Sequence, residues 1–313
     1  MLTPLLTVVP VFGLIFAGWL ARRLGALGPQ ATGELNRFVV WLALPALLFK
    51  IVATAQPAQL WHPGFLAALT LGTIGTFAAT IAWRMRSGTQ GGLADATIDG
   101  LNSSYANNGY MGFPIIAVVL GQQANALTLL SVLMTVCVLF ASGVILIEAS
   151  GQKADSTGAL ILKVTRRVAA NPLVAAPLVA SLFPITGLPV PAPVNSFLTM
   201  LGGAASPCAL VALGLFLAAE RSGAPAPKER ISALIALKLV AQPVLVWVLA
   251  AKVFRIDAMA LHAAVILSAL PTGTGPFMLA EFYGRDADVT ARVVLLSTII
   301  SLGTITAYLW WAL

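Results

Sequence analysis

The sequence predicts an all-α integral membrane protein of ten transmembrane helices, arranged as two inverted five-helix repeats. Three observations predict it. First, 59% of the 313 residues are hydrophobic, only 9% are charged, and the mean hydropathy is +0.93. A soluble surface needs roughly a quarter of its residues charged. Second, the basic residues concentrate after alternate apolar runs. Third, prolines of the first half recur 162 residues later in the second.

A helix needs about twenty apolar residues to cross the hydrocarbon core. By that measure spans fall near 5–21, 36–54, 64–84, 99–120 and 127–147, then near 171–188, 194–218, 232–253, 258–283 and 293–312. Leu5 to Leu20 is followed by Arg22-Arg23, which reads as a first span with its positive end inside and not as a cleaved signal peptide. Connections after odd-numbered spans hold fourteen of the eighteen Lys and Arg. Those after even-numbered spans hold only Lys50, Lys252 and Arg255, and Lys238 lies inside a span. Lys and Arg favour the cytoplasmic side, so both termini are expected outside. The net charge of +7 therefore belongs to membrane topology and implies no nucleic-acid partner. Cys137 and Cys208 sit in apolar runs without metal or redox spacing and read as small packing residues.

A shift of 162 carries Pro10 onto Pro172, Pro45 onto Pro207 and Pro114 onto Pro276, and also Pro29 onto Pro191 and Pro63 onto Pro225. Five of seven first-half prolines thus find partners, where chance predicts fewer than about one. Residues 1–150 form the first repeat and 151–313 the second. Five spans is an odd number, so the second copy is expected upside down relative to the first, as in secondary transporters.

The fourth span carries Asn107-Asn108-Gly109 through Gly112-Phe113-Pro114, and the ninth carries Pro271-Thr272-Gly273-Thr274-Gly275-Pro276. Such stretches do not fit one continuous lipid-facing helix. Paired interruptions at matching places in two halves point to a transporter binding site. A break exposes unpaired N–H groups and a partial positive charge at the start of the following half-helix. Two such ends meeting at mid-membrane suit an anion, above all a carboxylate. Asn107, Asn108, Gly109, Pro271, Thr272, Gly273 and Thr274 are the expected substrate residues, with Pro114, Gly275 and Pro276 shaping the breaks. The plainer reading is that they only repair broken backbone.

Lys238 is either a functional charge or a lysine that snorkels to the headgroups. Glu281 is a candidate partner for a cation, a proton or Lys238, or else a surface ion pair. Asp99 reads as an acid near a helix start. His62 and His262 are far apart, and there is no metal site, no nucleophile elbow and no phosphate loop. No cofactor and no enzymatic activity are expected, so a solute gradient, the membrane potential or a coupled ion must drive transport.

The stretch Asn107 to Pro114 resembles the fourth-span motif of the auxin efflux carrier family, which includes plant PIN carriers and bacterial malate and malonate permeases. Ala269 to Phe277, continuing through Ala280-Glu281-Phe282-Tyr283-Gly284, resembles its second break more closely. Leu42 to Phe49 and Asn171-Pro172-Leu173 are also similar, so the likeness covers essentially the whole chain. The resemblance implies that spans four and nine cross as broken helices. It further implies that spans one, two, six and seven form a scaffold, often dimerising. Spans three to five and eight to ten would then move as an elevator. Asn107 corresponds to the family's crossover asparagine and Pro271 to its crossover proline. Plant members have a proline where this chain has Ala106, which shifts the expected first break to Gly109. The central loop near 148–170 is short, as in bacterial members, which favours a carboxylate permease of a bacterial inner membrane over a hormone carrier. The expected partners are a small organic anion, the lipid bilayer and a coupling proton or sodium ion. The alternatives are a sodium-coupled symporter of the bile-acid type, for which few acids lie at depth, and a membrane channel or receptor.

Overall fold

The computed structural model describes residues 2–54, 61–88, 91–150, 172–219 and 228–312. Its helices are α1 (Leu2–Arg23), α2 (Ala31–Ala53), α3 (Pro63–Arg86), α4 (Gly92–Ser104), α5 (Asn108–Val119), α6 (Gln122–Ser150) and α7 (Pro172–Thr186). They continue as α8 (Ala192–Ala218), α9 (Lys228–Val253), α10 (Ala258–Ala269), α11 (Gly275–Phe282) and α12 (Ala287–Ala312). Helix falls within each of the ten apolar stretches read from the sequence, and two of them, 99–120 and 258–283, are interrupted. Six helices, α2, α3, α6, α8, α9 and α12, are long and apolar enough to cross a membrane. Among the described residues there is no strand, only one isolated bridge between Ala106 and Thr272. Most of the central connection falls in 151–171, outside the described residues.

The outside of the bundle is apolar. Phe16, Trp41, Leu71, Met200, Ile299 and other large hydrophobic side chains are exposed, an arrangement stable only against lipid. Trp61, Trp83, Trp310 and Trp311 are exposed near helix ends, where aromatic rings sit at membrane interfaces. The chain is an integral, multi-pass membrane protein.

Most mid-span prolines do not break their helices. Pro45, Pro114 and Pro243 each occupy the first turn of an α-helical segment that follows a five-residue π turn, Val39–Ala43, Asn108–Gly112 and Leu237–Ala241. A proline ring collides with the carbonyl four residues earlier. That carbonyl belongs to Trp41, Tyr110 or Leu239, in each case inside the wide turn. The widened turn absorbs the collision and the helix continues.

Helix α1 lies along α8, α2 packs on α7 and α8, α3 packs on α4 and α9, and α9 packs on α10. Glycines set the closest approaches. A Cβ on Gly18 would lie 2.2 Å from the Val211 carbonyl oxygen, and one on Gly214 would lie 1.9 Å from that of Ile15. Small residues at such crossings let backbones meet where lipid offers no hydrophobic drive to association.

At one end of the bundle the Asp99 carboxylate is fully buried. It accepts from Arg84 Nε at 2.6 Å and from Arg230 Nε and Nη2 at 2.9 and 2.8 Å. Arg285 reaches Asp95 at 3.5 Å on the same end. Asp99 is therefore no helix-start acid: α4 begins at Gly92, and Asp99 ties the end of α3 to the start of α9.

Candidate functional site

Helix α4 stops at Ser104, and its chain resumes as helix at Asn108. Helix α10 stops at Ala269, and its continuation starts at Gly275. The two gaps lie against each other. Asn107 N donates to Pro271 O at 2.9 Å, and Gly273 N donates to Tyr105 O at 3.0 Å, around the antiparallel bridge of Ala106 and Thr272. Backbone groups freed by each break thus satisfy the other, which is what unwound chain in a membrane requires. The first break falls at Tyr105–Asn107 and not at Gly109, which sits inside the following π turn. Cross-chain pairing, and no helix-breaking residue, holds it open. Pro276 stands in the first turn of α11, where its missing N–H costs nothing.

Side chains brace the crossing. Thr272 Oγ1 donates to Asn102 O at 2.7 Å, Thr272 N donates to Ser297 Oγ at 3.1 Å, and Asn102 Nδ2 donates to Thr290 Oγ1 at 3.0 Å. Gln242 Nε2 donates to Ser104 O at 3.0 Å and to Thr73 Oγ1 at 3.1 Å. Lys238 Nζ donates to Ser268 O at 2.6 Å. Lys238 is fully buried, so it does not snorkel. The Tyr105 ring lies over Gly273 and Gly275, where an added Cβ would meet it at 3.0 and 2.6 Å.

On the other side of the crossing is a cavity of about 150 Å³. Asn107, Asn108, Gly109 and Tyr110 line it from the first break, Thr274 and Gly275 from the second. Val40 and Leu44 of α2 and Leu173 of α7 form the facing wall. No charged side chain lines it. Both second half-helices, α5 and α11, begin at its edge, so two helix N-termini bring partial positive charge to it. Asn107 is 5% exposed and its Nδ2 has no hydrogen-bond partner. Asn108 Nδ2 donates to Thr135 Oγ1 at 3.1 Å. The Tyr110 hydroxyl donates to Asn36 Oδ1.

Of the sequence candidates, Asn107, Asn108, Gly109, Thr274 and Gly275 meet at the cavity. Pro271, Thr272 and Gly273 form the crossing itself and face away from it, the Thr272 hydroxyl being spent on Asn102. Pro114 stands seven residues past the break, beyond the cavity lining. Lys238 stands behind the crossing, and the side chain of Glu281 lies outside the described residues. Sequence reasoning missed Gln242, although a glutamine inside an apolar span, one turn after Lys238, is itself a signal. It also missed Tyr105, Asn36 and Thr135, which only the folded packing recruits. Among the described residues, no group of three His, Cys, Asp or Glu could hold a metal ion.

Residues 4–309 match a family described as membrane transport protein. A protein of Rhizobium meliloti (strain 1021) named "Putative malonate transporter" is 31% identical over 97% of this chain and 94% of its own length. An uncharacterized transporter of Methanothermobacter thermautotrophicus is 26% identical over 95% of this chain and 94% of its own. Auxin efflux carrier component 8 of Arabidopsis thaliana is 23% identical over 96% of this chain and 95% of its own. These relatives are named as transporters and carriers, not as enzymes. A match along nearly the whole chain, on a bundle with a lipid-facing exterior, settles the family: this chain belongs to the membrane transport proteins that include the auxin efflux carriers.

Proposed function

We propose that the chain is a secondary carrier for a small organic carboxylate, bound at the crossing of α4–α5 with α10–α11. The observation that carries this reading is the Asn107 amide, a buried donor with no partner, on a residue that lines a cavity edged by two helix N-termini. Fixed N–H groups and helix ends hold an anion without the cost of burying a countercharge. The malonate in the name of the Rhizobium meliloti relative suggests a carboxylate of that size class.

In this reading the ten spans form two inverted five-helix repeats. Helices α1, α2, α7 and α8 are the scaffold, available for homodimer contact, and the remaining helices are the moving unit. The cavity lies between α2 and α7 on one side and the breaks on the other, so sliding one group past the other would expose it to alternate sides. Both termini face outside, in a bacterial inner membrane.

A thermal-shift screen of malonate, malate and indole acids tests the assignment. Wild type gains stability with its substrate by mass action. Asn107→Ala should fold and insert yet lose about tenfold or more in affinity, since a hydrogen bond to a charged group contributes roughly 1.5–3 kcal/mol. Unchanged affinity in that variant would reject the site.

A further inference from the structure

The cavity uses the N-terminal ends of the second half-helices; the C-terminal ends of the first halves point elsewhere. Both meet α9. Ser104 is the last residue of α4, and its carbonyl accepts from Gln242; Ser268 lies in the last turn of α10, and its carbonyl accepts from Lys238. Lys238 and Gln242 are one helical turn apart, fully or almost fully buried, and outside the cavity lining. Among the described residues no carboxylate pairs with Lys238: the only buried acid, Asp99, is held by Arg84 and Arg230. A helix C-terminus carries about half a negative charge. Two of them at α9 amount to about one, against the single charge of the lysine. Oxygens gather along this turn of α9: the Ser268 carbonyl at Lys238, then the Ser104 carbonyl and the Thr73 hydroxyl at Gln242, whose own Oε1 has no partner. Half-helix carbonyl ends of this kind are where transporters coordinate an alkali cation.

We infer that Lys238 is a tethered cation standing where a free sodium ion would otherwise bind, so that the crossing is held together without sodium. The inference rests on the carrier reading but needs no substrate for its test. Melting temperature is measured in sodium chloride and in choline chloride at equal ionic strength. Wild type should melt identically in both. Lys238→Met, which keeps the bulk and removes the charge, should melt several degrees lower in both. Lys238→Ala, which also opens room, should melt low in choline and recover several degrees in sodium. Stabilisation of wild type by sodium over choline, a Met variant as stable as wild type, or an Ala variant indifferent to sodium would each overturn the inference. If neither variant folds, uptake into proteoliposomes decides: a requirement for sodium in wild type overturns the inference, and equal uptake in choline supports it. A carboxylate screen that finds no ligand would undo the carrier site and leave these salt comparisons intact.

Discussion

Of the three asparagines around the first break, Asn102 and Asn108 give their amides to Thr290 and Thr135, and Asn107 gives its amide to nothing. A buried donor left unpaired costs about 1–3 kcal/mol. The residues around it could have closed the gap, as Thr290 closes the one at Asn102, so in the proposed site the open donor is where a ligand would complete the shell. Tyr105 sets the shape of that shell. Its ring covers Gly275, whose added Cβ would lie 2.6 Å from Cζ and 2.8 Å from the hydroxyl. Gly275→Ala should therefore destabilise by about 1–3 kcal/mol and tilt the ring toward the cavity. Adding Tyr105→Leu should recover most of the loss in a double-mutant cycle read by thermal melting. Additive losses would show that the two residues do not collide.

Helices were the most legible elements of the chain, because a run of about twenty apolar residues has few other uses. The paired breaks were legible as well, from Gly273, Gly275 and the two prolines in α10–α11. Their positions were not. Ala106 carries no helix-breaking property, and only the backbone of Pro271 and Gly273, from the other half, opens the chain there. Composition also cannot tell which way Thr272 and Thr274 face: two residues apart in irregular chain, one turns into the bracing and the other into the cavity. The prolines that look like breaks at Pro45 and Pro243 are absorbed by π turns, a local widening that a residue count does not reveal. Helix contacts follow the same logic. Gly214 and Gly203 are equivalent in sequence terms, both within α8, yet a Cβ at Gly214 would strike Ile15 O whereas one at Gly203 meets nothing within 4 Å. Gly214→Ala should push α1 from α8 and cost about 1–3 kcal/mol. Gly203→Ala should be neutral or stabilising, as alanine is the better helix former. Equal melting temperatures for the two variants would contradict this account of the α1–α8 contact.

In the proposed reading the scaffold and the moving helices meet along the cavity. Close glycine contacts join α1 to α8 and α2 to α8, whereas buried charge joins α3, α4 and α9 through Asp99. Each set is tied within itself by contacts that are costly to break, and burial of the Asp99 carboxylate makes its loss especially so, at about 3–5 kcal/mol for an unpaired charge. Between the sets, Leu44 faces Gly109, where an added Cβ would lie 3.4 Å from Leu44 Cδ2, and the Tyr110 hydroxyl donates to Asn36 Oδ1. Sliding there breaks one hydrogen bond, Tyr110 to Asn36, and no buried ion pair, so in the proposed reading relative motion belongs at this boundary and not inside either set. Leu44→Cys with Gly109→Cys, in a background lacking Cys137 and Cys208, places one thiol on each side of that boundary. Bridging the pair with mercuric ion should stop uptake by proteoliposomes, more completely than labelling of either single cysteine in the cavity wall, and an excess of thiol should restore it. A pair placed within one set should transport at an undiminished rate when bridged. Full transport by the bridged Leu44–Gly109 pair would mean that the two sets do not move past each other, and the site would need another route to the two sides of the membrane.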